Sequence, residues 1–210
     1  MLKINNLKKS FNFNPILLNL NFELKEGEIV QISGSNGSGK TTLLKIIAGL
    51  LSAEFGDITI FNKDLLAREC QSKQHIIYWG HQPMLYPHLT TNENINFFLK
   101  IRNQSPPKDI DLILDELNML ELKHTQCNNF SQGMFQRFNL LRLIVSDWNV
   151  GLLDEPFSGL DTLGEELLFK KINQWKNHNR SLIIVSHNNH RLEKLSNYNY
   201  EIKNKRLVKI

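Results

Sequence analysis

From Ile16 to Leu24 apolar and polar residues alternate, with Ile16, Leu18, Leu20, Phe22 and Leu24 in step. A period of two predicts a strand buried on one face. Glu26-Gly27 reads as a turn, and Ile29, Val30 and Ile32 as a short buried strand that Gly34 ends. From Thr41 the spacing becomes helical, with Leu43, Leu44, Ile47 and Leu50 on one apolar face. Strands are predicted over Asp57–Phe61 and Ile76–Trp79. The block 84–130 reads as mostly helical. Ile95, Phe98, Leu99 and Arg102 fit one helix, Ser105-Pro106-Pro107 breaks it, and Ile110, Ile113, Leu114, Leu117 and Leu120 fit the next. A helix over Phe135–Ser146, a buried strand over Val150–Leu153, a helix over Leu163–Lys176 and a strand over Leu182–Val185 follow. Strands alternating with helices predict an α/β fold, a largely parallel sheet covered on both faces. The block 84–130 is then a helical insertion.

Composition narrows the class. The 210 residues are 41% hydrophobic and 22% charged, ordinary for a packed domain with a sizeable core. Two cysteines, Cys70 and Cys127, cannot build a disulfide framework. The longest apolar stretch, Leu43–Leu51, is interrupted by Lys45 and is far short of the ~20 residues a membrane span needs. The opening MLKINNLKKS lacks the apolar run of a signal peptide. Any membrane role is therefore expected to go through partner chains. A net charge of +4 and no basic stripe with interleaved aromatics argue against nucleic acid as a partner. Lys203, Lys205, Arg206 and Lys209 make a basic tail, expected to be a solvated terminus. The 25 Asn residues are read as compositional bias without bearing on mechanism. His81, His88 and His190 have no metal-ligand spacing and are expected to be surface or packing residues.

The chemistry is concentrated in two segments. Gly34-Ser35-Asn36-Gly37-Ser38-Gly39-Lys40-Thr41 matches G-x-x-x-x-G-K-[ST] in full, between a predicted strand and a predicted helix. Its glycines let the backbone curl so that successive N–H groups face phosphate oxygens. The helix N-terminus adds partial positive charge. Lys40 is suited to the β- and γ-phosphates, and the Thr41 hydroxyl to Mg²⁺. The second segment, Val150-Gly151-Leu152-Leu153-Asp154-Glu155, is an apolar strand ending in two carboxylates. Charge at a buried strand tip is costly without a cation nearby, so Asp154 is expected to serve Mg²⁺. Glu155 is expected to point the opposite way in extended chain and to accept a proton from the water attacking the γ-phosphate.

With these residues in place, nearly the whole chain resembles the ABC transporter ATPase family. Gly34–Thr42 is similar to its Walker A motif and Val150–Asp154 to Walker B. Gln82, in Gly80-His81-Gln82-Pro83, fits the loop that senses Mg²⁺ and the attacking water. Ser158-Gly159-Leu160-Asp161 resembles the D-loop, and His187, in Val185-Ser186-His187, the switch histidine at the γ-phosphate. Phe11 stands where the family places an aromatic on adenine, with Phe13 as an alternative. The resemblance implies a catalytic core over about 1–83 and 131–210 with an N-terminal antiparallel β-subdomain, and a helical subdomain over about 84–130. It also implies a head-to-tail dimer of ATPase subunits that binds ATP and Mg²⁺.

The family signature, usually L-S-G-G-Q, maps onto Phe130-Ser131-Gln132-Gly133-Met134. In the family this segment, with the D-loop residue matched by Asp161, reaches the nucleotide held by the other subunit. Ser131 and the Gly133 N–H are retained. Gln132 replaces a glycine and Met134 a polar residue, which leaves open a weakly hydrolysing ATP-binding subunit. Glu155 and His187 favour hydrolysis. A small GTPase would need N-K-x-D, and Asn62-Lys63-Asp64-Leu65 has Leu in the last place. A small-molecule kinase would lack the elements matched by Ser131, Gly133 and Asp161. DNA-repair or translation ABC ATPases usually carry long coiled coils or two cassettes, and this sequence has neither.

The chain runs 23 residues past His187. That compactness, Glu28–Ile32 running into Gly34, Trp79–Pro83, Leu89-Thr90-Thr91-Asn92-Glu93-Asn94 and Asp154-Glu155-Pro156-Phe157 resemble the ATP-binding subunits of haem exporter (cytochrome c maturation) systems. The resemblance implies integral membrane partners of that system and a peripheral position on the inner membrane, at its cytoplasmic or matrix face. A groove near residues 80–100 is expected to receive a membrane-subunit helix. Leu85, Tyr86 and Leu89 would either line it or pack internally.

Overall fold

The computed structural model describes residues 1–67, 71–81, 84–186 and 189–210. The chain divides into two compact units, one over 1–79, 148–156 and 172–210, the other over 80–147 and 157–171. Among the described residues no helix is long and apolar enough to cross a membrane.

The first unit holds two sheets. Strands β1 (Leu2–Phe11), β2 (Asn14–Leu24), β4 (Phe55–Ile60) and β5 (Lys63–Asp64) form an antiparallel sheet in the order β2-β1-β4-β5. The second sheet has the order β10-β9-β3-β8-β7-β6, built from β3 (Ile29–Ser33), β6 (Ile76–Trp79), β7 (Val150–Asp154), β8 (Ser181–Val185), β9 (Tyr198–Lys203) and β10 (Arg206–Lys209). It is parallel except for the edge strand β10. Helix α1 (Lys40–Ile47) buries Leu43, Leu44, Ile46 and Ile47 in a core shared with Leu20 and Leu24 of β2, Ile58 of β4, Val30 and Ile32 of β3, and Leu152 of β7. Leu50, expected on that face, is exposed, because the helix has already ended and Gly49 turns the chain at φ 72°.

The alternation in β2 changes phase. Leu20, Phe22 and Leu24 are buried, but before them it is Leu17 that enters the core, not Ile16 or Leu18. Asn19 at φ 49° is the cause: it inserts a bulge, and the register against β1 slips between Leu7↔Leu20 and Lys9↔Leu17. Asparagine has this role widely, at eight of the twelve non-glycine positive-φ positions among the described residues. Its short amide tolerates the left-handed region better than other side chains do. The abundant Asn therefore has a structural use.

The basic tail is solvated as expected, its four cations exposed, but it is ordered. Tyr198–Lys203 and Arg206–Lys209 form a hairpin, with Asn204 and Lys205 both at positive φ as a two-residue type I′ turn requires. β9 pairs directly with β3, and the Leu18 N–H donates to the Lys205 carbonyl at 2.8 Å.

The second unit is helical, with α2 (Thr91–Ile101), α3 (Ile110–Glu116) and α4 (Gln132–Val145); α5 (Thr162–Asn177) begins in it and ends in the first unit, which also holds the short α6 (His190–Leu195). α3 stops before the expected Leu120. Asn118 takes φ 51° and the Met119 N–H returns to the Leu114 carbonyl at 2.7 Å, a Schellman closure. α2 starts with a capping box between Thr90 and Glu93.

Candidate functional site: a phosphate loop and a carboxylate tip on one sheet edge

Ile32 of β3 is paired with Val185 of β8, and Val185 with Asp154 of β7. These three residues form one row across adjacent parallel strands. Two residues past Ile32 the phosphate loop begins; one residue past Asp154 stands Glu155. With strands about 4.8 Å apart, the two segments leave the sheet roughly 10 Å from each other at its carboxyl edge. Ligands of open parallel sheets bind at this edge.

The loop's shape follows from its glycines. Gly34 lies at φ 144°, and a Cβ there would come within 2.8 Å of the Ser38 Oγ and 3.0 Å of the Ile202 carbonyl oxygen. Gly39 lies at φ 107°, and a Cβ would meet the Ile16 and Leu17 side chains at 2.9 Å. Side chains are excluded at both points. The N–H groups at the start of α1 have no carbonyl one turn earlier within the helix, and no side chain caps them. Lys40 is buried, and its Nζ donates to the Gly34 carbonyl at 2.7 Å and the Ser35 carbonyl at 3.0 Å, curling over the loop. The Ser38 hydroxyl oxygen is buried inside the loop with no hydrogen-bond partner among the described residues. A buried hydroxyl without a partner is a standing cost, and a phosphate oxygen would satisfy it. These residues thus fit a triphosphate.

Asp154 is 2% exposed, and its Oδ2 accepts from the Tyr78 hydroxyl at 3.3 Å. Burial, followed by the charge of Asp154, pushes the Tyr78 phenol well above its ordinary range and keeps it a donor. Tyr78 carries no motif; a hydroxyl inside the apolar run Ile76–Trp79 was its only signal in sequence. A buried carboxylate beside the phosphate loop fits a Mg²⁺ ion, with the Thr41 hydroxyl as the other protein ligand on the sequence pattern. Glu155 departs from expectation in one respect. It lies past the strand end at φ 53°, not in extended chain, so strand alternation does not set its direction. Its N–H donates to the Val185 carbonyl at 2.9 Å, which fixes the turn. A left-handed glutamate costs about 1–2 kcal/mol. Such outliers gather at functional sites.

Phe11 and Phe13 sit at the β1–β2 hairpin, 44% and 102% exposed, so neither is core. Lys9 Nζ lies 5.1 Å above the Phe11 ring. Gln82 and His187 lie outside the described residues. Ser186, just before His187, is buried, and its N–H reaches the Ile32 carbonyl at 3.4 Å.

The second unit carries Ser131, Gly133 and Asp161. Ser131 caps α4: its Oγ accepts the Met134 N–H at 3.3 Å, while its own N–H meets the Met134 Sδ at 3.4 Å. The hydroxyl proton remains available to donate. A Cβ on Gly133 would meet nothing nearer than the Gly159 carbonyl oxygen at 3.5 Å. The fold of a single copy therefore does not itself exclude a side chain there.

Comparison with known proteins bears on this geometry. The sequence model of the ABC transporter family matches residues 17–158, more than half of the chain. The chain belongs to the ABC transporter family. This ABC ATPase is 34% identical over 168 residues to the cytochrome c biogenesis ATP-binding export protein CcmA of Shewanella sp. (strain MR-7), covering 80% of this chain and 77% of the relative. It is 30% identical over 198 residues to the lantibiotic transport ATP-binding protein SrtF of Streptococcus pyogenes, covering 94% and 85%. In fold it is similar to a dimeric post-hydrolysis ATP-binding cassette bound to ADP and Pi, at TM-score 0.86 and 23% identity, covering 100% of this chain and 98% of that one. The α/β fold, with its parallel core sheet and antiparallel β-sheet, is that of the ABC ATPases.

Proposed function

We propose that the protein hydrolyses MgATP as a head-to-tail dimer and drives integral membrane subunits of a cytochrome c maturation (haem exporter) system. The alignment of Ile32, Val185 and Asp154 in one strand row carries the proposal, because it supplies a phosphate loop and a carboxylate pair at one sheet edge. Residues Gly34–Thr42 bind the phosphates, with Lys40 exchanging its two carbonyl partners for β- and γ-oxygens. Thr41, Asp154 and Gln82 hold Mg²⁺, which when bound neutralises phosphate charge. Glu155 takes the proton of the attacking water, and His187 contacts the γ-phosphate. Phe11 stacks on adenine. From the second copy, Ser131 donates its hydroxyl proton, Gly133 its N–H, and Asp161 completes the closed interface. Gly133, which one copy alone does not need as glycine, has a reason in the approach of that partner.

The haem assignment is supported by the motif resemblance and by relatives that include CcmA. SrtF is nearly as similar, so similarity alone does not select the cargo. The subunit is placed peripherally on the inner membrane, at the cytoplasmic or matrix face. Tyr86, half-exposed and edge-on to Phe97 at 4.9 Å, offers an apolar surface to a membrane-subunit helix. Copurification from native membranes tests the assignment: cytochrome c maturation subunits are expected, and another permease would redirect it. A second reading, a weakly hydrolysing subunit, is favoured by Met134, whose thioether replaces a polar group. Turnover in the assembled complex separates the two.

A further inference from the structure

We propose that Arg137 is a positioning residue that locks the segment Ser131–Gly133 and the loop Ser158–Asp161 into one preassembled arm. The proposal rests on the trans roles proposed above for Ser131, Gly133 and Asp161. Arg137 lies on α4, six residues after its Ser131 cap. Its Nη2 donates to Asp161 Oδ2 at 2.7 Å and its Nη1 to the Leu117 carbonyl at 3.0 Å. One planar guanidinium thus ties the end of α3, the start of α4 and the start of α5. Asp161 is held from the other side as well, since its Oδ1 accepts the Gly164 N–H at 2.9 Å. That bond, and then Arg137, keep the Asp161 carboxyl below the usual carboxylate range, so it stays ionised for Arg137 at neutral pH.

Two further contacts close the same seam. Gln136, buried on α4, donates through Nε2 to the Ser158 carbonyl at 2.9 Å. Gln132, one turn earlier on the same face, lies against Gly159, where a Cβ would come within 3.1–3.2 Å of its side chain. Gly159 at φ 82° leaves that room. The departure at Gln132 is therefore directed at the 158–161 loop of its own chain. The departure at Met134 is directed at the Ser131 N–H. The Gln132 packing stiffens the arm, whereas Met134, a weaker acceptor than the polar residue of the signature, keeps only a long N–H···S contact at 3.4 Å.

A positioning role predicts a split between turnover and binding. The test uses the ATPase assembled with its native membrane partners. Arg137→Ala is expected to lower kcat by about 10- to 100-fold, as a misplacement of about 1 Å does, while the KM for ATP and nucleotide binding by the phosphate loop stay within about twofold. Arg137→Lys, which keeps the charge without the fork, should recover part of the loss. In an Asp161→Asn background Arg137→Ala should cost less than it does alone, because the Asp161 link is already weakened and mainly the Leu117 bond remains to be lost. If Arg137→Ala does not fold, Arg137→Gln, which loses the charge but keeps a donor for Leu117, takes its place. Parental kcat in these variants, or fully additive losses with Asp161→Asn, would overturn the proposal while leaving the ATPase reading intact. A parental complex that neither hydrolyses ATP nor closes on it removes both.

Discussion

Removing the Lys40 ammonium is the most informative single perturbation of the phosphate loop. In the structure Nζ is held by two neutral carbonyl oxygens, of Gly34 and Ser35. On binding, these partners are exchanged for anionic phosphate oxygens. Hydrogen bonds to charged groups contribute about 1.5–3 kcal/mol each against about 1 for neutral pairs. Since the ammonium is charged in both states, the gain per exchange is the difference between a bond with both partners charged, at the top of that range, and one with a neutral carbonyl, at its foot, or about 1.5 kcal/mol. Two exchanged bonds at about 1.5 kcal/mol give about 3 kcal/mol, or on the order of 100-fold in affinity. Lys40→Ala should therefore weaken ATP and ADP binding about 100-fold by titration calorimetry. Adenosine, which has no phosphate to meet Nζ, should bind as it does to the parental protein. The thermal unfolding midpoint should fall modestly, because the truncation removes the two hydrogen bonds that Nζ makes to the Gly34 and Ser35 carbonyls. A loss below about threefold for ATP, or an equal loss for adenosine, would refute the assignment of Lys40 to the phosphates.

Glu155→Gln should bind ATP, stall hydrolysis and accumulate a dimer in sedimentation; parental turnover would remove Glu155 as the base. Gly39→Ala forces a side chain into φ 107° and into contact with Ile16 and Leu17. It should destabilise the fold by about 2–4 kcal/mol in denaturant unfolding, from left-handed strain and overpacking. Tyr78 has a raised phenol pKa, so its folded form keeps a proton that the unfolded chain releases above about pH 10. Its contribution is thus full below that pH and is lost as pH rises. Tyr78→Phe should flatten the fall of stability above pH 10 relative to the parental protein.

Much of this was legible in the sequence because the chemistry is local. A phosphate loop needs eight consecutive residues, and Asp154 ends an apolar strand, so spacing alone placed both between the right elements. The parts that were not legible depend on pairing between distant segments. β1 alternates over Leu2-Lys3-Ile4, but Asn6 at φ 49° breaks the pattern where a second strand must be known to see the bulge. The C-terminal hairpin did carry a signal, Tyr198, Tyr200 and Ile202 followed by Asn204-Lys205, masked by the charge of the lysines. Glu155 could not be oriented because its left-handed backbone is imposed by Val185, thirty residues on. Arg137 is one arginine among several on a helix until Asp161 and Leu117 are brought to it.

The most direct measurement is a structure of Glu155→Gln with ATP and Mg²⁺. The β- and γ-phosphate oxygens should lie about 3 Å from the amides of residues 37–42 and from Lys40 Nζ, with the ion between Thr41 and Asp154. A triphosphate bound elsewhere, with the loop still closed by Lys40 on Gly34 and Ser35, would contradict the account.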